Sequence, residues 1–206
     1  MLKIISKASP FPLLLCISLL FFTPVSSQLM KFDAPLGQLY QDGLKSLNQG
    51  DSLTAYQKVQ SAHFFEPANG DMAFHYHLLS IALDKENAIQ LAENWLTTNS
   101  NKIYRSRLNF ELAKYFFKNQ QVASAIQAYK KISIDDLENE ELALMQFQLG
   151  YLYFKMGDWD ESTSYLLSIR QVQTSPFYTD ANYYAGFVAF DLACLFYAYA
   201  FVLHQY

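Results

Sequence analysis

Residues 147–160 read FQLGYLYFKMGDWD, an aromatic-rich segment that ends in a short turn. The spacing of its apolar residues is typical of an amphipathic helix. Gly157 tolerates a positive φ angle, and Asp158 can cap the helix that follows. Gly150, in the middle of the segment, presents no side chain and so lets a second helix approach closely. The segment therefore predicts two tightly packed helices joined by a turn.

The same arrangement recurs along the chain. The small residues at the equivalent place are Gly43, Ala113, Gly150 and Gly186. The intervals between them are 70, 37 and 36 residues, and the first interval corresponds to two repeats of 35 residues. A more divergent copy around residues 73–95 fills the longest interval. Other small or turn-forming residues at repeated places are Ala55, Ala62, Pro67, Ala125 and Gly157. A plain helical bundle is the alternative, but a period of this length favours stacked helical repeats, since one pair cannot bury its apolar face alone.

These residues resemble the tetratricopeptide repeat, a helix–turn–helix unit of about 34 residues. The resemblance implies an all-α, right-handed solenoid over residues 36–190. Its units are expected at about 36–69, 70–105, 106–142, 143–178 and, as a partial unit, 179–190. The segments 110–129, 134–137 and 148–190 also look like exported tetratricopeptide proteins of the Bacteroidetes. That likeness implies a non-enzymatic scaffold of the cell envelope.

The first 27 residues have the pattern of a signal peptide. Lys3 and Lys7 precede an apolar run at 11–22, and Val25-Ser26-Ser27 offers small residues at a cleavage site. We expect export to the periplasm or cell envelope, with residues 28–35 as a short N-terminal extension. The run of about 12 residues is too short to span a bilayer comfortably. A retained anchor is the alternative. The mature chain is expected to have no membrane-spanning segment, and peripheral association with the envelope is left open.

Composition and motifs argue against several functions. Apolar residues make up 51% of the chain, and the formal net charge of -4 argues against a nucleic-acid partner. The sequence has no phosphate-binding loop, nucleophile elbow or zinc spacing, so we predict no enzyme, no cofactor and no metal. His75 and His77 are two positions apart on a helix and so point to different sides. Cys194 is expected to be a buried, inert thiol.

Aromatic and basic residues share one register on the first helices of successive units. Tetratricopeptide folds line their concave groove with these helices, so the shared face predicts an aromatic floor with a basic rim. The predicted groove residues are Arg107, Phe110, Lys114, Phe117, Lys118, Phe147, Tyr151, Phe154, Lys155 and Tyr183.

Such a surface suits an extended peptide that carries a carboxylate, because cations bind the anion and rings bury apolar side chains. It resembles the carboxylate clamp of chaperone-binding tetratricopeptide domains, although Lys118 stands where that clamp has Asn. The alternative is that the aromatics are core between units and the lysines are simply solvated. Proteins or peptides are therefore the predicted partners. A glycan- or polymer-binding module on the same scaffold is the alternative function.

Residues 191–206 depart from the repeat pattern. They read DLACLFYAYAFVLHQY, without a turn former and with Asp191 as the only acidic or basic residue apart from a histidine. A repeat array normally ends on a helix with a polar outer face. Three interpretations stay open: a truncated or altered repeat of a longer array, an apolar helix that docks on a partner or another copy, and a segment that touches a membrane without spanning it.

Overall fold

The computed structural model describes residues 36–170 and 172–203, so the predicted signal peptide and the extension at 28–35 lie outside it. The described residues form nine α-helices, a short 3-10 helix at Ile134–Asp136 and no strand. The helices are α1 (Leu36–Asn48), α2 (Ser52–Phe65), α3 (Gly70–Ala82), α4 (Ala88–Thr98), α5 (Lys102–Lys118), α6 (Val122–Tyr129), α7 (Asn139–Met156), α8 (Trp159–Arg170) and α9 (Tyr178–Leu203).

Consecutive helices pack as pairs. Helix α1 packs on α2, α3 on α4, α5 on α6 and α7 on α8, while α9 packs on both α7 and α8. Helices two apart in the chain are also in contact: α3 packs against α5, and α7 packs against α9. This stacking of helix pairs is a tetratricopeptide-like solenoid, and it confirms the predicted all-α fold.

The turns inside the first and fourth pairs depend on glycine. Gly50 has a φ of 81° and Gly157 a φ of 75°, values that side-chain-bearing residues rarely adopt. The Asp51 carboxylate then accepts a backbone N–H from the first turn of α2 at 3.1 Å. Gln120 takes the same left-handed conformation in the third pair, with a φ of 58°. Each turn is therefore short enough to send the second helix straight back along the first.

Two glycines mark the places where paired helices approach most closely. A Cβ atom added at Gly150 would lie 2.7 Å from Cγ of Leu166, and one added at Gly43 would lie 3.0 Å from Cγ2 of Val59. Gly186 is different, because a Cβ there would meet nothing within 4 Å. The prediction of a close helix approach at Gly186 is wrong within the described chain, since α9 continues to Leu203 without folding back on itself.

The repeated alanines lie at the centre of the helix pairs. Ala55, Ala62, Ala113 and Ala125 each have no exposed surface. Larger apolar side chains surround them, and the core continues from one pair into the next. Small side chains at these places let the paired helix axes approach, while the large rings fill the remaining space between pairs.

Three boundaries differ from those expected by more than one residue. The limits after residues 105 and 142 fall inside α5 and α7. Helix α5 begins earlier because the Asn101 side chain accepts two backbone N–H groups of its first turn. Helix α7 begins earlier because Glu141 accepts the backbone N–H of Glu138 at 3.0 Å. The limit after residue 190 lies in the middle of α9, where nothing interrupts the helix.

Helix α9 also corrects the expectation for its cysteine. The side chain of Cys194 is exposed, because α9 extends past the helices on which it packs. Throughout the part of the chain that the structure describes, each helix is either too short or too polar to cross a membrane.

Candidate functional site

A pocket of about 500 Å³, open to solvent, lies between α5, α7 and α9. Helices α5 and α7 are the first helices of two successive pairs and α9 is the helix that follows them, while the turn after α5 and the start of α6 complete the wall. We call it the inter-unit pocket, and it is lined by Phe117, Lys118, Gln120, Val122, Phe147, Tyr151, Leu152, Lys155 and Tyr184.

Aromatic rings that hold one another in place form the floor of the inter-unit pocket. The ring centre of Tyr151 lies 5.7 Å from that of Phe117 and 5.1 Å from that of Tyr184, both edge to face. Phe147 lies 6.2 Å from Tyr184 and stacks on Phe177 at 5.2 Å. Because each ring is held by its neighbours, the floor loses little side-chain freedom when it binds an apolar group.

Tyrosine hydroxyls add polar groups to this floor. Burial raises the pKa of Tyr184, and the neighbouring Tyr151 adds to the rise. Like any tyrosine at neutral pH, Tyr184 is protonated, so its hydroxyl is able both to donate and to accept a hydrogen bond. The floor thus combines apolar surface with a neutral hydrogen-bonding group.

Two exposed lysines form the rim of the inter-unit pocket. Lys118 lies in the last turn of α5 and Lys155 in the last turn of α7. Among the described side chains, ion pairs form only at Arg107 and Lys114, so neither rim lysine has a carboxylate within 4.0 Å. Two cations without a carboxylate partner make this spot locally positive on a protein whose formal net charge is -4.

The structure brings five of the ten predicted groove residues together. The five that line the inter-unit pocket are Phe117, Lys118, Phe147, Tyr151 and Lys155. The other five lie elsewhere. They are Arg107, Phe110, Lys114, Phe154 and Tyr183.

Three of these five residues lie on α5, where each has a partner outside the pocket. Phe110 is 2% exposed and belongs to the core, with its ring 6.3 Å from that of Tyr129. Lys114 forms an ion pair with Glu111 at 2.7 Å and covers the edge of that core, its ammonium 5.0 Å from the Phe110 ring centre. Arg107 binds the Glu141 carboxylate. Their charges are therefore matched within the chain and do not form a free basic rim.

The other two residues lie on α7 and α9, outside the pocket. Phe154 packs edge to face on Trp159, with ring centres 5.6 Å apart, and lies beside the pocket. Tyr183 is 61% exposed and points away from the pocket, whereas its neighbour Tyr184 lines it. The buried positions Ala181 and Val188 lie three before and four after Tyr184, so the apolar stripe of α9 was the signal that distinguishes the two tyrosines.

A pair of histidines meets between α2 and α3. His77 is 6% exposed, and its ring centre lies 6.2 Å from that of His63. Burial, reinforced by His63, lowers the pKa of His77 to about 4. His75 is on another side of α3, where its Nδ1 lies 2.9 Å from the Tyr40 hydroxyl. The described residues contain no group of three or more His, Cys, Asp or Glu side chains arranged to hold a metal ion.

Comparisons with known proteins support the architecture. No protein-family model matches this chain, and no curated protein matches it either. A solved structure of PilF from Pseudomonas aeruginosa, a protein that contains tetratricopeptide repeats, is similar, with a TM-score of 0.56. The two sequences are 21% identical, and the likeness covers 74% of this chain and 68% of the PilF chain. At that identity the likeness shows a shared fold.

Proposed function

We propose that this protein is a non-enzymatic protein-interaction scaffold of the cell envelope, and that the inter-unit pocket binds an extended acidic peptide. One observation carries the proposal. Lys118 and Lys155, neither of which is paired with a carboxylate of the described residues, stand beside a preorganised aromatic floor between α5, α7 and α9. A tetratricopeptide-like solenoid is a fold that suits protein partners.

The chemistry of the pocket defines the peptide. An aromatic or aliphatic side chain lies on the rings of Phe117 and Tyr151, where burial stabilises binding by about 25 cal/mol per Å² of apolar surface. An acidic side chain or a C-terminal carboxylate lies between the two lysines. Exposed ion pairs contribute only about 0.2–1 kcal/mol each, so the floor supplies most of the affinity and the lysines supply selectivity for an anion.

A peptide-display selection tests this function. Random peptides are selected on wild-type protein and sequenced, and the same library is selected on a Lys118→Glu, Lys155→Glu variant. Wild-type protein should enrich peptides that place an acidic residue or the C-terminus within a few positions of an aromatic or aliphatic one. The proposal fails if both proteins enrich the same peptides while circular dichroism shows equal helicity.

A glycan is the second candidate ligand, and one observation favours it. The amide of Gln120 lies on the rim, and amides beside tyrosine rings suit sugar hydroxyls. Binding of an uncharged envelope polysaccharide that is lost in Tyr151→Ala but kept in the double lysine variant would support the glycan. Binding of a ligand that is lost in the double lysine variant supports the peptide.

The proposed location in the cell envelope is supported by the N-terminal sequence. A basic start, a short apolar run and Val25-Ser26-Ser27 favour export and cleavage before Gln28. N-terminal sequencing of the protein from fractionated cells is the test. Mature protein in the envelope fraction that begins at Gln28 supports export, and cytosolic protein that begins at Met1 contradicts it.

A further inference from the structure

A second pocket, of about 320 Å³, lies between α4, α5 and α6 and shares no lining residue with the inter-unit pocket. It exists because α4 contacts α5 at only a few residues, whereas α2 packs along α3 and α8 along α9. The Arg105 side chain spans this gap, and its Nη1 donates to the backbone carbonyls of Leu96 at 2.6 Å and Asn99 at 3.1 Å. Ligand pockets have volumes of about 300–1,000 Å³, so this one suits a small molecule. We call it the polar pocket.

One buried polar side chain presents an unused acceptor to the polar pocket. Asn109 lines the pocket and is only 3% exposed. Its Nδ2 donates to the backbone carbonyl of Arg105 at 2.7 Å, and since a carbonyl can only accept, this contact fixes which atom of the amide is the oxygen. Among the described residues nothing donates to Oδ1, and that atom is not sealed from solvent. It is therefore available to an N–H or O–H donor in the pocket.

Opposite charges line the polar pocket without meeting. Glu93 belongs to α4, Arg105 to α5, and Lys131 follows the end of α6. Among the described side chains, neither of the two cations has a carboxylate within 4.0 Å. The Nε and Nη2 groups of Arg105 donate to no described residue. The pocket therefore offers both a negative and a positive group to a single ligand.

Apolar side chains form the floor of the polar pocket. Leu112 and Phe116 of α5 and Ala128 of α6 line it, and none of the three is more than 8% exposed. A ligand held between the charges thus places its remaining atoms on an apolar surface, where removal from water favours an aliphatic group.

We infer that the polar pocket binds a free aliphatic α-amino acid. The carboxylate of the amino acid lies on Arg105 and Lys131, in charge-assisted hydrogen bonds. Its ammonium donates to the Glu93 carboxylate and to Oδ1 of Asn109, and its side chain lies on the floor. The Asn109 oxygen requires an ammonium that carries hydrogens, so a quaternary ammonium such as a choline headgroup does not fit. Because the charged groups are exposed, we expect weak binding, with a dissociation constant of about 0.1–1 mM.

Isothermal titration calorimetry of the full chain with three related probes tests this inference. L-Leucine carries both charges, N-acetyl-L-leucine lacks the ammonium and L-leucinamide lacks the carboxylate. Wild-type protein should bind L-leucine several-fold more tightly than either blocked form, because each blocked form loses one charge pair. The inference is overturned if L-leucine, L-valine and L-methionine all fail to bind at millimolar concentration, or if the blocked forms bind as tightly as L-leucine.

Two charge variants assign the ends of the ligand. Glu93→Gln should reduce the preference for L-leucine over N-acetyl-L-leucine, and Lys131→Gln should reduce the preference for L-leucine over L-leucinamide. Glu86→Gln and Lys102→Gln are the matched controls, since both residues are exposed and lie outside the polar pocket. Controls that change the preferences as much as the pocket variants do would overturn the assignment.

Asn109→Leu tests the buried amide, because leucine has a similar volume but no acceptor. This variant should lose L-leucine binding while circular dichroism shows unchanged helicity. A folded Asn109→Leu protein with wild-type affinity would contradict the proposed site. If this variant does not fold, the exposed charge variants still decide the question. Failure of the amino-acid site would leave the peptide proposal intact, since the two pockets have no residue in common.

Discussion

The guanidinium group of Arg107 donates to the carboxylate of Glu141, with Nη1 2.6 Å from Oε1. The two residues are 34 positions apart, which is one repeat, so the contact links α5 to α7. The same carboxylate accepts the backbone N–H of Glu138 and so stabilises the first turn of α7. The Glu141 side chain thus caps the start of α7 and also binds α7 to α5, the first helix of the preceding unit.

Similar links join the other first helices. The Tyr40 hydroxyl of α1 lies 2.9 Å from His75 Nδ1 of α3, and the Tyr104 hydroxyl of α5 donates to the Asp71 carboxylate of α3. These partners are 35 and 33 positions apart. A polar contact about every repeat therefore supplements the apolar packing and fixes the register between successive first helices.

Glu141→Gln should lower the free energy of unfolding by about 1–2 kcal/mol, because it weakens both the ion pair and the helix cap. Glu140→Gln is the matched control. Glu140 is the adjacent residue in the same first turn but is exposed, and its loss should cost no more than about 0.3–1 kcal/mol. Urea unfolding of both variants measures the difference. Equal destabilisation would mean that the contact with Arg107 contributes nothing in solution.

Gly150→Ala should destabilise the protein by about 1–3 kcal/mol through overpacking. The new methyl group would lie 2.7 Å from Cγ and 2.8 Å from Cδ2 of Leu166, which is fully buried and has no room to move. Gly186→Ala has open space, so it should instead stabilise helix α9 by about 0.5–1 kcal/mol through helix propensity. Thermal melts compare the two. A stabilising Gly150→Ala would contradict the close packing of α7 on α8.

Acid should destabilise the protein through His77. Its pKa is about 4 in the folded chain against about 6.5 in the unfolded chain. Below pH 6.5 the unfolded chain binds a proton that the folded chain does not, so stability falls as the pH drops towards 4, by about 3 kcal/mol in total. Burial also lowers the pKa of His63, which acts in the same direction.

His77→Phe isolates that effect, because it keeps an aromatic ring beside Trp95, whose centre lies 5.5 Å from that of His77. Urea unfolding at several pH values between 7 and 4.5 should show a shallower loss of stability in the variant than in the wild type. Carboxylates titrate in both proteins, so only the difference in slope counts. Parallel pH profiles would mean that His77 is not the group responsible.

Lys118→Glu should weaken binding of a selected acidic peptide several-fold at low salt, and Lys155→Glu should do the same, because each change removes an exposed ion pair and adds a repulsion of similar size. Lys45→Glu is the control, since Lys45 is also a basic residue in the last turn of a first helix but lies on α1, outside the inter-unit pocket. Fluorescence anisotropy of a labelled peptide gives the affinities. Wild-type affinity should also fall as salt rises, because ions screen exposed charges beyond about 10 Å at 0.1 M. If Lys45→Glu weakened binding as much as the other two, the site would not be this pocket.

The helix-pair fold could be predicted from local features of the sequence. Gly50 and Gly157 terminate helices through backbone conformations that depend on few neighbours, and the recurrence of Gly43, Ala113 and Gly150 reveals the repeat period. Such features can be recognised in a sequence because each depends on only a few neighbouring residues. Part of the aromatic floor could be predicted for the same reason, since Phe147 and Tyr151 share one face of a single helix.

Only the tertiary structure decided which charges are free and which rings face the pocket. Arg107 and Lys114 have the same spacing as a basic rim, but Arg107 is matched by a carboxylate 34 positions away and Lys114 by Glu111 on its own helix. Tyr183 and Tyr184 differ by one position, which is about 100° around the helix, and the rotation of α9 is set by how Ala181 and Val188 pack against the preceding pair. The Lys114–Glu111 pair joins residues three apart on one helix and could be predicted from the sequence. The rotation of α9 and the Arg107–Glu141 pair depend on contacts between units, and a sequence pattern within one helix contains no information about the partner that it meets.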